Sequence, residues 1–321
     1  MCAVLSILLV NFPFFALVLC GYIAARRAFL PQAAIPGLNT FVLYFALPCL
    51  LYRFGASTPI AQLLDGSLMA VYALSALIMV GFTIAVTRNQ RIGWNDASFG
   101  ALVAAFPNTG YMGVPLLVAL LGAQAAGPAI VSIAVDLLLT SSLCIALSRL
   151  GSADEHGAVR AARMALWGVL ANPMPWAIVL GGLSSTFAVS LPVPIMATVG
   201  LLADAASPVA LFTIGAILAR SQLNPSLKTP LGDYLPVTFI KLVIHPLLVG
   251  SLGLAAIALG LPLDRFALTV VVLVAALPSA SNVAILAERF GADNGRITRI
   301  ILLSTVLAFF SFSAAVAILM P

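Results

Sequence analysis

The chain is built from apolar runs of bilayer length. Ten stretches follow one another at 3–25, 36–57, 66–87, 97–121, 127–149, 166–188, 195–219, 234–259, 266–290 and 297–320. Each has roughly the 17–25 residues needed to cross a hydrocarbon core. In lipid every backbone N–H and C=O must be satisfied internally, so such a chain folds as helices or as a closed barrel. Barrel strands alternate apolar and polar residues, and these runs do not. A soluble domain carries about 25% charged residues, whereas this chain has 8% charged and 62% hydrophobic residues. The expected fold is an all-α polytopic membrane protein with ten transmembrane helices.

The net charge of +5 is a statement about topology, not about nucleic acid. The links after runs 1, 3, 5, 7 and 9 hold Arg26, Arg27, Arg88, Arg91, Arg149, Arg160, Arg163, Arg220, Lys228, Arg289, Arg296 and Arg299. The opposite links and the termini hold Arg53 and Arg265. The positive-inside rule puts the richer set in the cytoplasm and both chain ends outside, as an even number of spans requires. No cleaved leader is expected, since the basic pair Arg26–Arg27 follows the first run rather than preceding it.

Run 4 is interrupted where a bilayer tolerates interruption least. Leu102–Pro115 reads LVAAFPNTGYMGVP. Pro107 lacks an N–H and its ring clashes with the preceding turn, so the helix breaks there. Non-helical backbone at membrane depth survives only inside protein or along a watery cavity. Asn108 and Thr109 suit the N-cap of a following half-helix, whose free N–H groups would seat a carboxylate. The expected substrate contacts are Pro107, Asn108, Thr109, Gly110 and Tyr111.

A second copy of the break lies in run 9. LVAAFP ending at Pro107 is matched by LVAALP ending at Pro278, a shift of 171 residues. NFPFFALVLCG from Asn11 pairs with NPMPWAIVLGG from Asn172, and ALPCLL around Pro48 with ASPVAL around Pro208. Five spans per half is odd, so the halves would enter the membrane from opposite sides as an inverted repeat, the arrangement that places substrate between discontinuous helices. The halves are 1–150 and 166–321, joined by a polar link at 151–165 that carries His156. Pro278, Ser279, Ser281 and Asn282 complete the expected substrate site.

Other polar residues lie inside apolar runs. An intramembrane carboxylate is costly and points into the bundle or a cavity, so Asp136 and Asp204 are candidates for coupling or gating, or for structural pairing. Lys241 and His245 are four apart on one helix face, and the histidine suits a proton relay. Asn39 and Tyr44 either line a cavity or bond between helices. Cys2, Cys20, Cys49 and Cys144 lack CxxC spacing and read as packing residues. Neither a metal-ligand set nor a nucleotide phosphate loop is present, so no cofactor is expected.

LNTFVLYFALP, FPNTGYMGVP, PVALFTIG, KLVIHP and LPSASN together give a chain that resembles the auxin efflux carrier family, in its bacterial malonate-carrier-like branch. The resemblance implies ten helices in two inverted repeats crossing at helices 4 and 9. It implies a transport domain of helices 3–5 and 8–10 moving against a scaffold of helices 1, 2, 6 and 7, as a homodimer in the bacterial inner membrane. Plant members read Asn-Pro-Asn-Thr-Tyr at the first break. This chain keeps Pro107, Asn108 and Thr109 but inserts Gly110, which argues against auxin itself. The function expected is secondary transport of a small organic anion, a carboxylate or dicarboxylate such as malonate, with proton or sodium coupling. A cation/proton antiporter of the same fold is the second reading. An intramembrane enzyme is the third, and it lacks any nucleophile–base set.

Overall fold

The computed structural model describes residues 2–150, 163, 167, 170–223 and 229–320. Most of the 151–165 link, with His156 and Arg160, lies outside the described residues, as does Lys228. The regular elements among the described residues are helices, including one short turn of helix at Ile60–Leu63. In chain order the helices are α1 (Cys2–Arg26), α2 (Ala34–Ser57), α3 (Gly66–Thr87), α4 (Trp94–Ala105), α5 (Thr109–Leu121), α6 (Ala123–Ser148), α7 (Pro173–Thr186), α8 (Val193–Leu223), α9 (Leu231–Ala258), α10 (Arg265–Ala276), α11 (Asn282–Arg289) and α12 (Asn294–Leu319). Seven helical segments among the described residues, in α1, α2, α3, α6, α8, α9 and α12, are long and apolar enough to cross a membrane. Runs 4 and 9 are each divided in two, and α7 is 14 residues long.

Helix starts follow from side-chain chemistry. Asp65, Asn172, Asp264 and Asp293 each accept a backbone N–H of the first turn of α3, α7, α10 and α12, at 2.9, 3.0, 3.0 and 2.9 Å. Such caps satisfy donors that have no partner within the helix.

Three prolines are accommodated by widening, whereas Pro13, Pro208 and Pro236 sit inside helices with no π turn before them. Pro48, Pro115 and Pro246 each follow a π turn, at Val42–Ala46, Thr109–Gly113 and Ile240–Ile244. In each, the residue before the proline donates its N–H five residues back, Leu47 to Val42, Val114 to Thr109 and His245 to Ile240. One extra residue in the turn relieves the clash between the proline ring and the carbonyl four residues earlier. A fourth π turn, Asp136–Thr140, has no proline after it; there the Ser141 hydroxyl donates to the Asp136 carbonyl at 2.9 Å.

The helices pack in two groups. In one, α1 lies along α8, and α2 against α7 and α8. These contacts are backbone to backbone. A Cβ on Gly21 would collide with the Phe212 carbonyl, and one on Gly215 with that of Val18. A Cβ on Gly181 would come within 2.8 Å of the Tyr52 carbonyl and 3.0 Å of Gly55 Cα. Small residues at such crossings let apolar helices associate in lipid. In the other group α4 packs on α3 and α6, and α9 on α3, α10 and α12. Arg296 ties one end of this group together, its Nε donating to the Asp233 carbonyl at 2.7 Å and Nη1 to that of Asp96 at 2.8 Å.

Gly215→Ala is expected to destabilise the purified protein in detergent by about 1–3 kcal/mol, the usual cost of overpacking. Gly81, where a Cβ would meet nothing within 4 Å, is the control: Gly81→Ala should be neutral or stabilising by up to about 1 kcal/mol. Thermal unfolding of the two variants checks the difference.

Candidate functional site

The two breaks meet. After α4 the chain is extended at Phe106, and after α10 it is extended at Leu277. Pro107 lies opposite Ser279 in an antiparallel bridge. Asn108 N–H donates to the Pro278 carbonyl at 2.8 Å, and Ala280 N–H to the Phe106 carbonyl at 3.0 Å. Polar backbone freed by one proline is thus satisfied by backbone freed by the other, away from lipid. Ser279 N–H turns instead to α12, donating to Ser304 Oγ at 3.2 Å. The sequence alone presents Ser304 as a small packing residue, with nothing to mark it as this acceptor.

The half-helices α5 and α11 start from this junction, and their first donors are left over. The N–H groups of Gly110 and Tyr111, and of Ser281 and Asn282, find no acceptor among the described residues. Four side-chain oxygens are buried here without partners: Thr109 Oγ1, Ser279 Oγ, Ser281 Oγ and Asn282 Oδ1. Buried polar atoms are nearly always paired, so a cluster of unpaired ones marks a place where something else supplies the bonds. Asn108 corrects the expectation of a cap. Its side chain makes no capping bond, while its carbonyl accepts the N–H groups of Met112 and Gly113 at 3.1 and 3.0 Å. The amide is left for other use.

A cavity of about 1070 Å³ opens between α2 and α8 on one side and α9, α11 and α12 on the other. Ser281 and Asn39 line it, with Arg220, Glu288 and Arg299. Asn282, the neighbour of Ser281, faces a separate cavity of about 180 Å³ with Phe106, Ser141 and Arg289. Asn39 also accepts a long 3.4 Å hydrogen bond from the Tyr111 hydroxyl, linking α5 to α2. Tyr44 is 56% exposed on the outer surface and lines neither cavity.

The four candidate coupling residues separate. Asp136, Lys241 and His245 are buried together. The Asp136 carboxylate accepts from the hydroxyls of Tyr72 and Thr140, both at 3.2 Å. Lys241 Nζ donates to the Ala275 carbonyl at 2.8 Å and lies 3.0 Å from His245 Nδ1. Tyr72 carries no charge and sits in an otherwise plain run, so sequence reasoning passes over it. Asp204 lies elsewhere. It is exposed and accepts from Arg53 at 2.7 Å, joining α8 to α2. Among the described residues no group of three or more His, Cys, Asp or Glu side chains is placed to hold a metal ion.

Comparison with known proteins places this geometry in a family. A family profile described as "Membrane transport protein" matches residues 7–316. The chain is 30% identical over 303 residues to a protein of Rhizobium meliloti (strain 1021) named "Putative malonate transporter", covering 92% of this chain and 90% of that one. It is 28% identical to an "Uncharacterized transporter" of Methanothermobacter thermautotrophicus, covering 92% of each. It is 26% identical to the "Uncharacterized transporter YfdV" of Escherichia coli (strain K12), covering 87% and 86%. The chain belongs to the membrane transport protein family, that of the auxin efflux carriers, and is an integral membrane transporter.

Proposed function

We propose that the chain is a secondary transporter of a small organic anion, a carboxylate or dicarboxylate such as malonate, held where the two broken helices meet. One observation carries this reading: unpaired N–H groups and hydroxyls gather at the start of α5 and α11, beside a cavity that reaches Ser281. Helix starts with free N–H groups favour a carboxylate, and the Asn108 amide adds a donor. The relative named for malonate supports a dicarboxylate.

We read the chain as two inverted five-helix repeats. Supporting this, the glycine contacts of α1 with α8 and α2 with α7 exchange under a single offset: Gly21 and Gly181, like Gly55 and Gly215, are 160 residues apart. The tightly packed α1, α2, α7 and α8 form the scaffold, and α3–α6 with α9–α12 the moving domain. The cavity lies between the two groups, as alternating access by an elevator or rocking motion requires. With Arg220, Arg289 and Arg299 toward the cytoplasm of the inner membrane, the cavity faces inward. The cation/proton antiporter reading is weakened by Asp204, which is committed to Arg53, and by the lack of a carboxylate in either break.

Labelled malonate should enter proteoliposomes saturably. Asn108→Ala and Asn282→Ala should each raise the half-saturating concentration about tenfold, as the loss of one hydrogen bond to a charged group implies. Unchanged half-saturation in both would remove the assignment. Arg220→Gln, at the cavity, should slow uptake more at low than at high ionic strength, because screening shortens the reach of a charge to about 10 Å at 0.1 M salt. Initial rates across a salt series check this.

A further inference from the structure

The helix pair α1 and α12 is closed at one end and open at the other. The two run antiparallel, with Asn11 Nδ2 donating to Ser313 Oγ at 2.9 Å and the Phe15 and Phe309 rings meeting edge to face at 5.1 Å. Past Phe15 they part, and a crevice of about 460 Å³ opens between α1 and α8 on one side and α9 and α12 on the other. Its walls are apolar for most of their length, with Phe15, Val18 and Leu19 from α1 and Leu302, Leu303 and Val306 from α12. Leu19 and Val306 are each 56% exposed, so the crevice opens sideways toward hydrocarbon.

The open end is polar and basic. Tyr22, Tyr234 and Arg299 line it, and Arg26 and Arg27 follow where α1 stops. Arg26 Nη1 donates to the Tyr22 hydroxyl at 3.1 Å and Arg299 Nη1 to the Thr229 carbonyl at 2.9 Å, which holds both guanidinium groups at this level. No carboxylate lines the crevice among the described residues. Tyr22 stands two helical turns from Phe15, and Arg299 two turns from Val306, so the apolar part is about 10 Å deep. Tyr234, Arg299 and Leu302 also line the cavity of about 1070 Å³. A group held at the mouth therefore meets water on its far side.

We propose that this crevice holds one anionic phospholipid, with an acyl chain between α1 and α12 and its phosphate at Arg299, beside the Tyr22 and Tyr234 hydroxyls. A guanidinium offers paired N–H donors that match two phosphate oxygens, and each methylene of the chain gains from leaving water. A free phosphate would use the arginine but nothing of the apolar walls, and a bare alkyl chain the walls but not the arginine. Only a molecule with both parts fills the site. Zwitterionic lipids carry a phosphate too, but their headgroup cation is repelled by Arg26, Arg27 and Arg299, so a headgroup without a cation is preferred. The lipid stands in the seam between the two helix groups, apart from the broken helices. The inference does not use the anion-transport reading.

The test is native mass spectrometry of the full chain in detergent, titrated with phosphatidylglycerol or with phosphatidylcholine of the same chains. One phosphatidylglycerol per chain should be retained at about tenfold lower lipid concentration than phosphatidylcholine, the ratio expected from a hydrogen bond to a charged group. Arg299→Gln should abolish that ratio, and Arg299→Lys should recover part of it. Leu303→Trp, which fills the apolar part, should weaken retention of both lipids about tenfold. Leu254→Trp, on the exposed face of α9, should change neither. Equal retention of the two lipids by the unaltered protein overturns the proposal, whether or not the variants fold. So does an unchanged ratio in Arg299→Gln or unchanged retention in Leu303→Trp. Displacement of the lipid by excess inorganic phosphate would mark a site for a free anion. A mass of two chains without lipid, reduced to one chain by Leu303→Trp, would mark a second copy seated here. Either result overturns the lipid assignment.

Discussion

Two backbone hydrogen bonds, between Asn108 and Pro278 and between Ala280 and Phe106, hold together the place where helix fails inside an apolar core. Either break alone would leave peptide groups without partners, at a cost of several kcal/mol each in hydrocarbon. Facing one another they supply each other's needs, so each break makes the other tolerable. The pairing is incomplete at the starts of α5 and α11. Polarity is left unused there, on Thr109, Ser279, Ser281 and Asn282. The proposed anion site draws on this same junction.

A second regularity concerns the cations. Lys241 donates to the Ala275 carbonyl, Arg296 to those of Asp233 and Asp96, Arg149 to that of Phe290 and Arg299 to that of Thr229. Asp96 and Asp233 lie in the first turns of α4 and α9, and Thr229 just before α9. Ala275 and Phe290 lie at helix C-termini, where carbonyls lack a partner in their own helix. Asp65, Asp264 and Asp293 serve the opposite ends, as N-caps.

Much of this was legible in the residues, and the exceptions share a cause. Proline acts locally, so Pro107 and Pro278 mark their breaks in the sequence with no knowledge of the fold. Run lengths place the helices to within a few residues, although only seven segments among the described residues span by length and composition. Pairing is not local. Nothing near Asp204 in the chain indicates Arg53, 151 residues away, or distinguishes it from Asp136, which is buried beside Tyr72. Asn108 departs from expectation in a subtler way. Asn suits an N-cap, but the turn that follows is widened, and its side chain makes no capping bond. The π turns follow no hydrophobic period, though a proline directly after a long apolar helical stretch accompanies three of the four.

The glycine seams between α1 and α8 and between α2 and α7 have a mechanical consequence. Helices that meet through interlocked side chains can shift by changing rotamers. Where a carbonyl of one helix rests against the bare Cα of its neighbour, as at Gly21 and Gly215, no such bearing surface exists. A slide of one residue, about 1.5 Å along the axis, would drive that carbonyl toward positions carrying a Cβ. These seams behave as welds rather than joints, and displacement within the molecule falls to the contacts that side chains still cushion.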